Sequence, residues 1–213
     1  MSSFLLLLLV FTSSRSCILF MLSSNKDEVK VLIERLSTKE LLAKSLKELA
    51  QTKPIDKITI KDITDNCGLS KRTLYHNFQD KAELVLFEYS LNLSKVFNAE
   101  NKDLSWLELM HRAIMAIVNN YDYYRNAFHV FDYSSSPIKA MKLTASSTFE
   151  DFIKLKTEIK ELTEEEKIAL KIYTFGIWAY GIEWTKNGMP ISVEKLAQYY
   201  VNSMPYILHK YLI

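Results

Sequence analysis

Across 213 residues the chain carries only four glycines and four prolines. A sheet of many strands needs tight turns, and tight turns draw on both residues. An α/β enzyme with glycine-rich ligand loops needs glycine as well. A chain this poor in turn formers reads as a succession of helices, so the expected fold class is all-α. The few breakers then mark helix ends. Pro54, Gly68, Gly188, Pro190 and Pro205 stand where an apolar helical pattern stops.

Between those stops the helices have legible starts. Asp27 to Leu36 reads as a short leading helix. Ser37-Thr-Lys-Glu40 is a capping box, in which the serine hydroxyl accepts an amide and the glutamate reaches back. It opens a helix to about Thr52, with Leu41, Leu42, Ser45, Leu46 and Leu49 on one face. Thr59 to Asp62 opens a second, short helix with Ile60 and Ile63 inward. Gly68 permits a sharp turn into a third, which Ser70 caps and which runs through Leu74 to Phe78. Asp80 caps a fourth, striped by Leu84, Val85, Phe87 and Leu91. A polar stretch from Asn98 to Asp103 separates this unit from the rest. Helices are expected over Ser105–Asn119, Asp122–Phe131 and Ile138–Lys156, with a loop from Tyr133 to Pro137. A second capping box, Thr163 to Glu166, starts a long helix that ends at Gly188. Ser192 caps the last one, which Pro205 ends or kinks.

Composition is that of an ordinary folded chain, 48% hydrophobic and 24% charged, with a net charge of +2. The charge is unevenly spread. Ser37 to Lys81 holds nine Lys/Arg against six Asp/Glu, and the residues after it fourteen against sixteen. A mildly basic segment on a mildly acidic body suits local phosphate binding, and equally suits an ordinary solvated face. The two cysteines, Cys17 and Cys67, form no CxxC pair, so no disulfide framework or zinc knuckle is expected; a reducing, cytoplasmic setting fits.

The N-terminus stands apart. Phe4–Phe11 and Ile18–Leu22 are apolar but too short to span a bilayer, which takes about twenty residues. Nothing charged precedes Phe4, as an export signal would require. The expectation is a start at Met21, with residues 1–20 as an upstream extension foreign to the native protein. A weak membrane anchor and an export signal are the alternatives.

Three short helices, the second and third joined across a glycine turn, outline a helix-turn-helix unit. In such a unit the second helix crosses the phosphate backbone and the third enters the major groove. The third helix has the composition for it. Leu69, Leu74 and Phe78 turn inward, leaving Lys71, Arg72, Thr73, Tyr75, His76 and Asn77 as donors to base edges and phosphates. Thr59 and Lys81 begin the flanking helices, where backbone amides favour phosphate oxygens. Many helical bundles also contain a short polar helix, so these residues alone leave DNA binding and a plain solvated face both open.

The runs Ile58-Thr-Ile-Lys-Asp-Ile63, Cys67-Gly-Leu-Ser-Lys-Arg-Thr-Leu-Tyr-His-Asn-Phe78 and Asp80-Lys81-Ala-Glu-Leu84 resemble the DNA-binding domain of the TetR/AcrR transcriptional regulators. The resemblance spans about Thr38 to Leu91 and continues loosely toward Trp184–Met189. It implies a helix-turn-helix domain over residues 21–82 and a helical dimerisation and effector-binding domain over 83–213. It also implies a homodimer that binds a palindromic double-stranded DNA operator, most often to repress. With the residue reading it gives as expected DNA-binding residues Thr59, Ser70, Lys71, Arg72, Thr73, Tyr75, His76, Asn77 and Lys81. Lys71 and Arg72 fall at base-reading positions, and Tyr75 and Lys81 at phosphate-contacting ones. Two departures stand out: Asn77 where many members carry histidine, and Leu36-Ser37 where an arginine is common.

In the body, the helix near Trp178 is apolar all round, with Ile172, Tyr173, Phe175, Ile177, Tyr180, Ile182 and Trp184. One side is expected to face its own core and the other a partner subunit. The expected dimer face is Phe175, Tyr180, Trp184, Tyr199, Tyr200 and Met204; the competing reading is a central core helix in a monomer. Met110, Tyr124, Phe128, Met141 and Trp178 are expected to line a pocket for a small apolar or aromatic effector, against the simpler reading that they are core. No cofactor, metal or membrane partner is expected. The histidines at 76, 111, 129 and 209 are dispersed, and no GxSxG, Walker or GxGxxG motif occurs, so the chain does not read as an enzyme. The alternative function is a coactivator or protein-interaction module of the same fold without a small effector.

Overall fold

The computed structural model describes residues 6–11, 17–22, 36–130 and 136–213. Two N-terminal strands, Leu6–Phe11 and Cys17–Leu22, pair antiparallel, a hairpin the sequence reading did not foresee. From residue 36 onward the described chain is helical, as expected. The expected leading helix and the aromatic residues Phe131 and Tyr133 lie outside the described residues.

The first unit is α1 (Thr38–Leu49), α2 (Ile60–Cys67) and α3 (Lys71–Asn77), followed by α4 (Lys81–Val96). The Ser37–Glu40 capping box forms in both directions. Helix α1 stops at Leu49 rather than Thr52, where the amides of Gln51 and Thr52 turn to i→i−3 bonds with the carbonyls of Glu48 and Leu49 ahead of Pro54. Leu42, Leu46, Ile63, Leu74 and Leu84 have no exposed surface, so four helices share one small core. Ser45 is buried with them and donates to the carbonyl of Ile63 at 2.7 Å.

The body comprises α5 (Trp106–Val118), α6 (Tyr121–Val130), α7 (Ser136–Thr157), α8 (Glu164–Lys186), α9 (Val193–Asn202) and the short α10 (His209–Leu212). Helix α7 begins at Ser136, inside the loop expected to reach Pro137. Proline is tolerated there, because a first-turn amide has no helical partner to lose. The Thr163–Glu166 box opens α8 as read, and Glu166 is also gripped by Lys210 (2.6 Å) and Tyr211 (3.0 Å) of α10. Phe97, Trp106, Phe149 and Phe152 form one aromatic cluster, with ring centres 4.7–5.7 Å apart. Helix α4 packs on α1 at its start and on α5 and α7 further along, so it runs from the small unit into the body.

Candidate nucleic-acid interface and body cavity

Helix α2 opens with a second reciprocal cap. Thr59 accepts the amide of Asp62 at 3.0 Å, and the Asp62 carboxylate accepts the amide of Thr59 at 2.9 Å. Asp62 also takes the ammonium of Lys53 at 2.8 Å. Lys53 first, and the Thr59 amide next, hold its carboxyl down at about 2. The anion at this helix terminus is therefore already supplied by the chain. At the other end Gly68 adopts φ 69°, where a side chain would be strained, and the amide of Leu69 returns to the carbonyl of Thr64. That turn points α3 away from α2.

Ser70 caps α3 by accepting the amide of Thr73 at 3.0 Å, and the two hydroxyls meet at 2.8 Å. Leu74 faces inward with no exposed surface, and Phe78 packs edge-on to Phe87 at 5.6 Å. Opposite them, Lys71, Arg72, Tyr75 and His76 are exposed, and no hydrogen bond or ion pair engages them among the described residues. Two cations, a phenol and an imidazole thus stand on one face of a seven-residue helix with their donors unused.

Other expected DNA contacts have different occupations. The Asn77 carboxamide donates one N–H back to the carbonyl of Thr73 at 2.8 Å and is half-buried. Ser70 and Thr59 serve first as helix caps, and the Thr73 hydroxyl is paired with that of Ser70. Lys81 departs furthest from its expected role. Its ammonium donates to the carbonyls of Ile55 (2.7 Å), Asp56 (3.3 Å) and Ile58 (2.6 Å), and its pKa is lowered by desolvation. It clamps the turn that leads into α2 rather than projecting toward a phosphate.

A second clamp on the same turn was not legible in the sequence. Asn126 of α6 accepts the amide of Ile55 at 3.0 Å and donates to the carbonyls of Ala50 (3.2 Å) and Lys53 (3.0 Å). Three backbone groups between α1 and α2 are thereby satisfied by one side chain of the body. Glu88 makes another link. It is almost fully buried on α4 and meets Lys47 of α1 at 2.6 Å. A carboxylate amid Leu84, Val85, Phe87, Tyr89 and Leu91 was the one sequence signal for it, since a buried charge demands a partner.

Within the body, Met110, Tyr124, Phe128 and Trp178 line a cavity of about 80 Å³. Met141 does not; it is fully buried elsewhere in the core, on a turn of α7 that the cavity does not reach. Trp178 packs edge-on to Phe128 at 6.1 Å and donates its indole N–H to the Tyr89 hydroxyl at 2.9 Å.

The expected dimer face divides in two. Tyr180 and Tyr199 are 45% and 54% exposed, and Phe175 is half-buried. Trp184, Tyr200 and Met204 are instead buried in their own chain, Trp184 by donating to the carbonyl of Ile191 at 2.9 Å. Trp184 and Tyr200 lie on the inner side of α8 and α9, Met204 just past the end of α9, and all three have almost no surface to offer a partner. Ile168 and Ile172, at 53% and 68% exposed, take their place on the outer side of α8. No helix among the described residues is long and apolar enough to cross a membrane.

Residues 42–86 match the family described as bacterial regulatory proteins, tetR family. A curated relative, the HTH-type dhaKLM operon transcriptional activator DhaS of Lactococcus lactis subsp. lactis (strain IL1403), is 22% identical over 91 residues. Those residues are 43% of this chain and 49% of that protein, so the match spans about half the relative's length. Among solved structures, the dihydroxyacetone kinase operon activator DhaS superposes with a TM-score of 0.57 at 19% identity, over 83% of this chain and 98% of that one. A TetR transcriptional regulator from Rhodococcus sp. RHA1 gives 0.59 at 15% identity, over 81% and 97%.

Proposed function

We propose that this chain is a transcriptional regulator of the tetR family, that it binds a two-fold DNA operator as a homodimer, and that it releases the operator when a small molecule enters the body; the match of residues 42–86 to that family supports the reading. The observation that carries the DNA-binding reading is the outer face of α3. Lys71, Arg72, Tyr75 and His76 are exposed and uncommitted on a short helix set off by a left-handed glycine turn. One short helix reads few base pairs, so useful specificity needs two copies spaced by a helical turn of DNA. The partner is a second copy, met through α8. There Ile168, Ile172, Phe175 and Ala179 follow a 4-3-4 spacing on the outer side, beside exposed Tyr180 and Tyr199.

The test is a binding titration of the DNA flanking the chain's own gene against random DNA at several salt concentrations. Arg72→Ala is expected to cost roughly 1–3 kcal/mol on the cognate site and to relax preference at one position. Equal losses on cognate and random DNA would show that Arg72 reads no base. Repression is the expected sign. Activation is the second reading, favoured by the activator DhaS among the relatives. The two are separated by a reporter fused to the adjacent promoter in cells with and without the protein.

A further inference from the structure

The body cavity has a chemical polarity of its own. All its lining residues are uncharged, and most of the wall is aliphatic or aromatic carbon. Into it come three buried phenols, Tyr89, Tyr124 and Tyr200. Tyr89 already accepts the indole N–H of Trp178, and Tyr124 already accepts the amide of Asn92 at 2.7 Å. Neither phenol, nor that of Tyr200, donates its own proton to any group among the described residues. Burial raises all three well above the ordinary tyrosine value, so each remains a neutral donor.

Thr174 sharpens the point. Helical threonines in this chain satisfy themselves by folding back: Thr64 donates to the carbonyl of Ile60 and Thr185 to that of Gly181. Thr174 lines the cavity, is 1% exposed, and its hydroxyl has no partner. A buried polar atom without a partner is costly and calls for an occupant. The wall thus offers donors lacking acceptors, and no ion to balance a charge.

We propose that the cavity takes a small, uncharged, aprotic molecule with one carbonyl or ether oxygen, held by the hydroxyls of Thr174 and Tyr124 with its carbon skeleton against Phe128 and Trp178. The proposal deepens the effector reading given above and rests on it for its regulatory meaning only. An anion finds no cation in the lining, and a cation finds no carboxylate. Size limits the ligand too. A cavity of about 150 Å³ accepts benzene, so 80 Å³ suits a skeleton of roughly three to five non-hydrogen atoms.

The experiment follows the indole N–H resonance of Trp178, assigned with Trp178→Phe, during titration of the full-length protein without DNA. The probes are 2-butanone, its hydrocarbon isostere 2-methyl-1-butene, and propanoate. The ketone is expected to bind about five- to ten-fold more tightly than the alkene, the ratio one hydrogen bond confers, and propanoate not to shift the signal. Thr174→Val removes a hydroxyl that holds nothing in place, so folding survives. It is expected to narrow the ketone's advantage while leaving the alkene unchanged. Tyr124→Phe is expected to narrow the same ratio. Equal binding of ketone and alkene to the wild type, tighter binding of propanoate, or a preference that survives both substitutions would overturn the proposal. So would occupation by water alone, seen as no shift with any probe. Release of operator DNA by 2-butanone is read separately. Binding without release would defeat the regulatory reading and leave the ligand chemistry intact.

Discussion

Asn126 is the clearest place to test how the body holds the DNA-binding unit. Its carboxamide makes three hydrogen bonds to the backbone between α1 and α2, at 3.0, 3.2 and 3.0 Å. Asn126→Ala removes all three and leaves the amide of Ile55 and two carbonyls to find water. A typical hydrogen bond contributes about 0.5–1.5 kcal/mol net. The site is only half-buried, so water replaces part of the loss, and the sum falls at about 1.5–3 kcal/mol. For a chain of this size that is a drop in Tm of roughly 3–12 °C. The assay is thermal unfolding followed by circular dichroism, with amide exchange at Ile55 as the local readout. Exchange there is expected to accelerate while that of Trp106, deep in the body, changes little. The neighbours of Asn126 give the test functional content. Tyr124 and Phe128, two positions to either side on α6, line the cavity, so α6 touches ligand space and the α1–α2 turn at once. In Asn126→Ala, an effector should shift DNA affinity less than in the wild type. A Tm within 1 °C of wild type, by the same hydrogen-bond arithmetic, with unaltered exchange at Ile55, would refute the reasoning.

Lys81→Met, which frees the other clamp on that turn, is expected to lower the Tm and leave the salt dependence of DNA binding intact; a fall in the slope of about one unit would instead restore Lys81 as a phosphate ligand. Because Asn126 and Lys81 hold one segment, their combined loss should cost less than the sum of the two, which a double-mutant cycle measures. Ile172→Asp removes an apolar contact twice in a two-fold interface, so the dimer should weaken by at least about a hundred-fold in sedimentation, as the burial of two isoleucines implies; a dimer of unchanged strength would place the interface elsewhere. Glu166, gripped first by Lys210, has its carboxyl held at about 2 against an ordinary 4.5. A lowered folded value means its stabilisation is complete above 4.5 and is lost as pH falls from there through 2. Glu166→Gln should therefore lower the Tm at pH 7, with the gap to wild type closing across that acid window in a pH series of melts.

What the sequence determined by itself is chiefly what neighbours along the chain decide. The capping boxes at Ser37 and Thr163, the Ser70 cap and the glycine turn at Gly68 are chemistry within three or four residues, and each formed where it was read. So did the inward face of α3, because Leu74 and Phe78 are spaced by one helical turn. Tertiary structure alone decided where long side chains end and which side of an apolar helix stays outside. Lys81 reaches a carbonyl 26 residues away, and Asn126 reaches one 76 residues away, distances that no local pattern encodes. Helix α8 is apolar all round, so its period gives no orientation. Packing against the body turned Trp184 inward and left Ile168 and Ile172 outside. The cavity has the same origin. Met110, Tyr124, Phe128 and Trp178 meet there while Met141 is absorbed into the core, because helices α4 to α9 together enclose a space that their separate sequences do not describe.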